Sequence, residues 1–198
     1  MQRKSATIII LSGGTSVRFG SDKSKALING QSLIAWILNS IPSQFEVIVV
    51  GDDPKMSGID YQCVRENPIG GGPVAGFQAG LKLCTSDMTA LVAVDMPLAV
   101  PSVIKLFSEI SVDDDAVMYI DADGFKQPLA AVYRVESVRG VLAHAGNVDG
   151  KSMRELVSQL NVREVHLSQE ISPELIDIDT QLDLDRAITT LASREGNL

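Results

Sequence analysis

The stretch Thr7-Ile8-Ile9-Ile10-Leu11-Ser12-Gly13-Gly14-Thr15-Ser16-Val17-Arg18-Phe19-Gly20-Ser21-Asp22-Lys23 decides how this chain folds. Its first five residues form a β-branched, apolar run, the pattern of a buried parallel strand. The strand leads straight into paired glycines, then hydroxyls, then two cations. Glycines let the backbone turn sharply and bring N–H groups close to phosphate oxygens. Arg18 and Lys23 can neutralise a triphosphate. The spacing is not that of a Walker loop, in which Lys directly follows the last glycine. The plain alternative is a Gly/Ser surface loop with solvated cations, but loops of this kind carry function disproportionately often.

Outward from this stretch, strands and helices alternate. The spacing of Leu33, Ile34, Ile37, Leu38 and Ile41 predicts a helix over 31–41, stopped by Pro42. Strands are expected at Glu46–Val50, Tyr61–Arg65 and Thr89–Val94, with a helix from Pro73 to about Cys84 between the last two. Pro101 suits the first turn of a helix reaching about Ile110. Ala116–Ile120 and Leu129–Tyr133 flank Asp121-Ala122-Asp123-Gly124, which reads as a hairpin turn. Helices follow near Glu136–Ala145 and Ser152–Leu160, strands at Arg163–Leu167 and Leu175–Ile178, and a final helix at Gln181–Ala192. This order predicts an α/β fold: a three-layer, doubly wound, mostly parallel sheet of the Rossmann-like kind, with a small antiparallel insertion. No linker, repeat or low-complexity stretch interrupts it, so residues 1–198 are expected to form one domain.

Composition narrows the partners. With 198 residues and 45% apolar content, a sizeable core is expected. A net charge of −8 argues against nucleic acid, because phosphate contacts need a basic surface. Positive charge is concentrated in residues 1–25, where Arg3, Lys4, Arg18, Lys23 and Lys25 face one acid, Asp22. No apolar stretch approaches the length of a signal peptide core or a membrane span, so a cytoplasmic protein is expected. Cys63 and Cys84 then read as free, buried thiols. Trp36 falls on an apolar helix face and is expected in the core.

Ligands of doubly wound sheets bind at the carboxyl ends of strands, and two further segments fall there. Glu66-Asn67-Pro68-Ile69-Gly70-Gly71-Gly72-Pro73-Val74-Ala75-Gly76 sets a tight backbone path before a helix. Gly70-x-Gly72-x-x-Ala75, with Asp95 twenty residues further on, also fits a dinucleotide fingerprint and hence an NAD(P)-dependent oxidoreductase. Against that stand an amphipathic preceding strand, the intervening Glu66-Asn67-Pro68, and Pro73, which lacks the backbone N–H the turn should offer. The other segment is Asp95-Met96-Pro97. A carboxylate there suits Mg²⁺ bridging to phosphates, or else a helix cap or Asx turn. The basic loop after the first strand favours the metal. Gly150-Lys151-Ser152 imitates the end of a Walker loop, but Ala145 stands where its first glycine would be.

The first stretch resembles the L-A-G-G-x-S-x-R-M-G-x-D-K signature of the molybdenum cofactor guanylyltransferases and their nucleotidyltransferase relatives, with Ser12 for Ala and Phe19 for Met. Gly70–Gly76 is similar to that family's G-G-G-P-L-A-G. Val94-Asp95-Met96-Pro97-Leu98 is similar to C-D-M-P-L, and Gln127–Arg134 to Q-P-L-x-A-L-Y-R. The resemblance implies an enzyme that transfers GMP from GTP to molybdopterin or its metal-loaded form and releases pyrophosphate. It implies nucleotide contacts from Leu11, Ser12, Gly13, Gly14, Lys23 and Glu66, and a Mg²⁺ ligand in Asp95. Gly51 stands where some members carry a nucleotide-contacting Asn. Asp177-Ile178-Asp179-Thr180 replaces the family's N-x-N-T and looks more like the cytidylyltransferase of the same pathway. That alternative implies CTP as donor and Asp179 as a second metal ligand.

Overall fold

The computed structural model describes residues 6–13, 26–121, 123–167 and 172–195. In chain order the elements are β1 (Thr7–Leu11), β2 (Leu27–Ile28), β3 (Gln31–Ser32), α1 (Leu33–Ser40), β4 (Glu46–Val50), β5 (Gln62–Val64), α2 (Gly72–Leu83), β6 (Met88–Ala93), α3 (Val100–Leu106), β7 (Ala116–Ile120), β8 (Lys126–Arg134), α4 (Val135–His144), α5 (Met153–Val157), β9 (Val162–His166), a 3-10 turn (Ser172–Leu175) and α6 (Gln181–Glu195). Among the described residues, seven strands form one sheet in the order β5-β4-β1-β6-β8-β7-β9. β1 lies between β4 and β6 and is parallel to both. The chain steps outward from β1 through β4 to β5, then crosses to β6 on the other side. The gap between β1 and β6 is therefore the switch point where such sheets bind ligands.

Strand alternation builds the three layers. Ile8 and Ile10 join Val47, Val49, Ala90 and Val92 in one core cluster, which packs on Ile37 and Leu38 of α1 and on Val103 and Leu106 of α3. Ile9, Ile48 and Leu91 point the opposite way, into a second cluster with Val74, Phe77 and Leu81 of α2 and Val138 of α4. Each fully buried Ile, Val or Leu contributes about 1.5–3 kcal/mol, so this double-sided burial holds β1 and β6 rigidly. Gly80 permits the close approach of α2, since a Cβ there would lie 2.7 Å from Ile9 Cγ2.

The expected mostly parallel sheet carries its antiparallel insertion between parallel strands: β8 spans nine residues and pairs antiparallel with both β6 and β7. Asp121 closes the β7–β8 turn by accepting from the N–H groups of Asp123 and Phe125. Other expectations are corrected. The helix expected from Gln31 starts two residues later, N-capped by the Ser32 hydroxyl, because Gln31–Ser32 pairs with Leu27–Ile28. Asn29 and Gly30 both have positive φ, as a two-residue Asn-Gly hairpin requires. Leu175–Ile178 is not a strand; Pro173 lies in the 3-10 turn and an irregular segment follows. Cys63 is exposed on the edge strand β5, while Cys84 is buried. Trp36 is half-buried against a third cluster, formed by Ile28, Leu33, Leu98, Ile178, Leu184 and Ala187. Among the described residues no helix is long and apolar enough to cross a membrane.

Candidate functional site at the carboxyl edge of the sheet

The strand ends on either side of the switch point are tied together by the main chain. Ser12 donates to Val50 O through its backbone N–H (2.8 Å) and its hydroxyl (3.0 Å). Val94 N–H donates to Leu11 O (2.9 Å), so the β1–β6 ladder continues toward Asp95. Gly51 N–H donates to Val64 O (2.9 Å). Leu11, Ser12 and Gly13 thus leave the sheet on a fixed path. Gly51 is needed for that path: its φ is +138°, and a Cβ would lie 2.5 Å from Ser12 Oγ and 2.9 Å from Gly13 N. No side chain has room at this backbone position.

Glu66, just past β5, reaches across to the same point. A Cβ on Gly13 would sit 3.4 Å and 3.5 Å from the two Glu66 carboxylate oxygens. Glu66 Oε1 accepts from Gly70 N–H (3.1 Å), which binds the carboxylate to the glycine turn before α2. That turn contains a cis Asn67–Pro68 bond, and Gly70 and Gly72 take positive φ. Gly71 donates to Pro68 O (3.1 Å), and its own carbonyl accepts from Gly150 N–H (2.9 Å). The missing side chain of Gly13 therefore leaves a carboxylate facing an open backbone. An acceptor so placed can receive hydrogen bonds from the amino and imino groups of a nucleobase or from ribose hydroxyls.

Asp95 is half-buried just beyond β6. Its backbone carbonyl accepts from Ile178 N–H (2.8 Å). This bond brings the C-terminal segment to the switch point, with exposed Asp177 and Asp179 on either side of fully buried Ile178. The neighbouring Thr180 and Asp183 do something else: each side chain bonds the other residue's backbone N–H, capping α6. Hydrogen bonds from the Thr180 hydroxyl (2.6 Å) and backbone hold the Asp183 carboxyl below its ordinary range. Asp183 thus serves as part of the α6 cap. Among the described residues no three His, Cys, Asp or Glu side chains form a metal cage. A site here would be one of few carboxylates, as Mg²⁺ accepts when waters and substrate phosphates complete its shell.

Gly14, Arg18 and Lys23 lie outside the described residues, as does the rest of the basic loop. Leu11, Ser12, Gly13, Glu66 and Asp95 do come together at one edge, and Asp179 joins them. The dinucleotide reading fails on topology. Its glycine turn follows β5, a three-residue edge strand, whereas the central strand β1 carries the Ser12-Gly13 loop. Ser152 of the Walker-like triplet is the N-cap of α5, in a capping box with Glu155. Partial burial pushes the Cys63 thiol up, and its Sγ donates to Gly51 O (3.6 Å). Sequence reasoning missed the Asn29-Gly30 hairpin, although that dipeptide between apolar residues was a legible signal. It also missed Gly51 as a packing requirement and Ile178 as the link to Asp95; neither has a local signal.

A glycine loop and an acid delivered by adjacent parallel strands at a switch point define a nucleotide-handling α/β protein. The chain belongs to the family of MobA-like NTP transferase domains, which it matches over residues 8–165, and is a nucleotidyltransferase. It is similar to a probable molybdenum cofactor guanylyltransferase of Bacillus cereus, at 32% identity over 79% of this chain and 82% of that protein. A protein of the same name from Peptoclostridium acidaminophilum is 30% identical, over 81% of this chain and 76% of that one. The crystal structure of molybdopterin-guanine dinucleotide biosynthesis protein A from Archaeoglobus fulgidus has a TM-score of 0.70 at 22% identity, covering 94% of this chain and 99% of that one. That last likeness is one of fold.

Proposed function

We propose that this protein transfers GMP from GTP to the terminal phosphate of molybdopterin or its metal-loaded form, in the cytoplasm, and releases pyrophosphate. The observation that carries the reading is the convergence of Ser12-Gly13, Glu66 and Asp95 at the β1/β6 switch point, in a chain whose relatives are named for this activity. Two free cysteines, one of them exposed, suit a reducing compartment.

The acceptor ends in a phosphate monoester that is largely ionised at neutral pH, so no general base is required. Its oxygen attacks the α-phosphorus of GTP in line. The new P–O bond forms as the bond to the β-phosphate oxygen breaks, and pyrophosphate leaves with that electron pair. The protein must hold two mutually repelling anions in register and stabilise charge on the phosphoryl oxygens. Leu11, Ser12, Gly13 and Gly14 present backbone groups to the nucleotide. Glu66 accepts hydrogen bonds from its base or sugar. Lys23 and Arg18 offset the charge of the departing pyrophosphate. The carboxylates of Asp95 and Asp179 fit Mg²⁺, being hard oxygen donors on two segments joined by the Ile178–Asp95 hydrogen bond. When bound, the ion supplies Lewis-acid stabilisation of the reacting phosphates.

One feature favours a second reading. Asp177-Ile178-Asp179 departs from the guanylyl pattern toward the cytidylyl one, so CTP is the alternative donor. A thermal-shift panel of four nucleoside triphosphates with Mg²⁺ separates the two: GTP ranked first supports the proposal, and CTP ranked first replaces it. Asp95→Asn tests the site itself. A capping role for Asp95 would survive the change, since Asn keeps the size and the turn-forming hydrogen bond. A metal role would not: turnover is expected to fall roughly a thousandfold, equivalent to about 4 kcal/mol, with an unchanged melting curve. A normally folded variant that turns over within about tenfold of the parent would remove Asp95 from the site.

A further inference from the structure

Among the described residues, Ser102 and Glu174 are the buried polar side chains outside the sheet: Ser102 is 0% exposed and Glu174 is 4% exposed. The Ser102 hydroxyl, in α3, donates to Glu174 Oε2, in the 3-10 turn. The Ser102 carbonyl in turn accepts from the hydroxyl of Tyr119 on β7 (3.1 Å). A carboxylate is costly to bury without partners, and a loop that needs only to cross the surface has no use for one. This one sits at the base of the segment that delivers Asp177 and Asp179. Leu175 follows it into the first core cluster, and Ile178 enters the third while donating to Asp95 O. The segment is therefore pinned at both ends, by Glu174 on α3 and by Ile178 on the turn after β6.

We infer that Glu174 is a positioning residue: with Ser102 it latches the C-terminal segment so that the Asp177–Asp179 carboxylates are held at Asp95. The inference rests on the proposed metal-assisted transfer for its purpose, but its geometry can be tested separately. Glu174 touches no reacting group. It acts through the backbone of residues 175–179, which is anchored at the site by the Ile178 N–H.

The test compares the parent with Glu174→Ala, Glu174→Gln and Ser102→Ala. Two quantities are measured: hydrogen exchange of the Ile178 amide, and the Mg²⁺ concentration that half-saturates GTP-bound protein in calorimetry. In Glu174→Ala the Ile178 amide is expected to exchange faster, while amides of β1 and β6 keep their protection. The Mg²⁺ requirement should rise about tenfold, the loss usual for residues that orient metal ligands. GTP binding without metal should be unchanged. Gln still accepts from Ser102, so Glu174→Gln should behave as the parent. Ser102→Ala keeps the core packing and reports the same loss should the Glu174→Ala chain fail to fold. Unchanged Ile178 exchange in both Glu174→Ala and Ser102→Ala would overturn the latch. Faster exchange with an unchanged Mg²⁺ requirement would overturn its link to the site. A Gln variant as impaired as the Ala variant would overturn the hydrogen bond as the cause. A parent protein that binds no Mg²⁺–GTP would instead sink the functional reading, and the exchange data would still decide the latch.

Discussion

Gly51→Ala puts a single methyl where the structure leaves no space for one. Two costs add. At φ +138° an L side chain is strained, by about 1–2 kcal/mol for a left-handed residue. The new Cβ would also lie 2.5 Å from Ser12 Oγ and 2.9 Å from Gly13 N, the second being backbone that cannot rotate aside. Overpacking of this kind costs about 1–3 kcal/mol. A total of about 3 kcal/mol lowers the Tm of a chain this size by roughly 6–12 °C. The strain should also be local. Ser12→Ala removes the nearest atom, so Gly51→Ala should cost about 1 kcal/mol less in that background than alone. Nucleotide affinity should fall as well, because the shift moves Ser12 and Gly13 together. The assay is a thermal melt of the four proteins of the cycle, followed by GTP titration. A Tm drop under about 2 °C, or strict additivity with Ser12→Ala, would refute the claim that Gly51 sets the path of the first loop.

Lys23→Ala should weaken GTP binding by about 1.5–3 kcal/mol and GMP binding much less, because the cation belongs to the terminal phosphates. Equal losses in calorimetry would contradict that role. Gly140, within α4, has open space around its absent Cβ, so Gly140→Ala should stabilise by about 0.5–1 kcal/mol. Gly80→Ala should destabilise, since its Cβ would meet Ile9 Cγ2 at 2.7 Å and the resulting overpacking of about 1–3 kcal/mol exceeds the helix gain of about 1; paired melts that failed to diverge in sign would show the α2 contact to be slack. The Asp183 carboxyl is held below its ordinary value by its Thr180 hydrogen bonds. Its contribution to the α6 cap is therefore present above roughly pH 4 and lost as pH falls through the lower folded value. Protection of the Thr180 amide, its exchange rate relative to the intrinsic rate at each pH, should fall with acid in the parent, and Asp183→Asn should abolish that dependence.

Much of this architecture is written locally. The apolar run of Thr7–Leu11, the alternation of strands with helices and the glycine segments require a parallel sheet with its ligand edge after β1 and β6, because period and turn chemistry are properties of neighbouring residues. That Ser12, Gly13, Glu66 and Asp95 share one edge follows from the same logic, since each closely follows a strand. The tertiary structure decided what depends on distant residues. β8 lies between β6 and β7 because strand order is chosen by packing across both sheet faces, which local pattern does not encode. Cys63 is exposed because β5 is an edge strand. Gly51 must be glycine because Ser12, 39 positions earlier in the sequence, occupies its side-chain space. Asp177 and Asp179 reach Asp95 because Ile178 finds a buried site and a backbone acceptor there, and Glu174 is buried where the Ser102 hydroxyl, on a residue whose carbonyl accepts from Tyr119, donates to it. Short-range preference sets the elements, but only the closing of the chain on itself can bring together groups far apart in sequence.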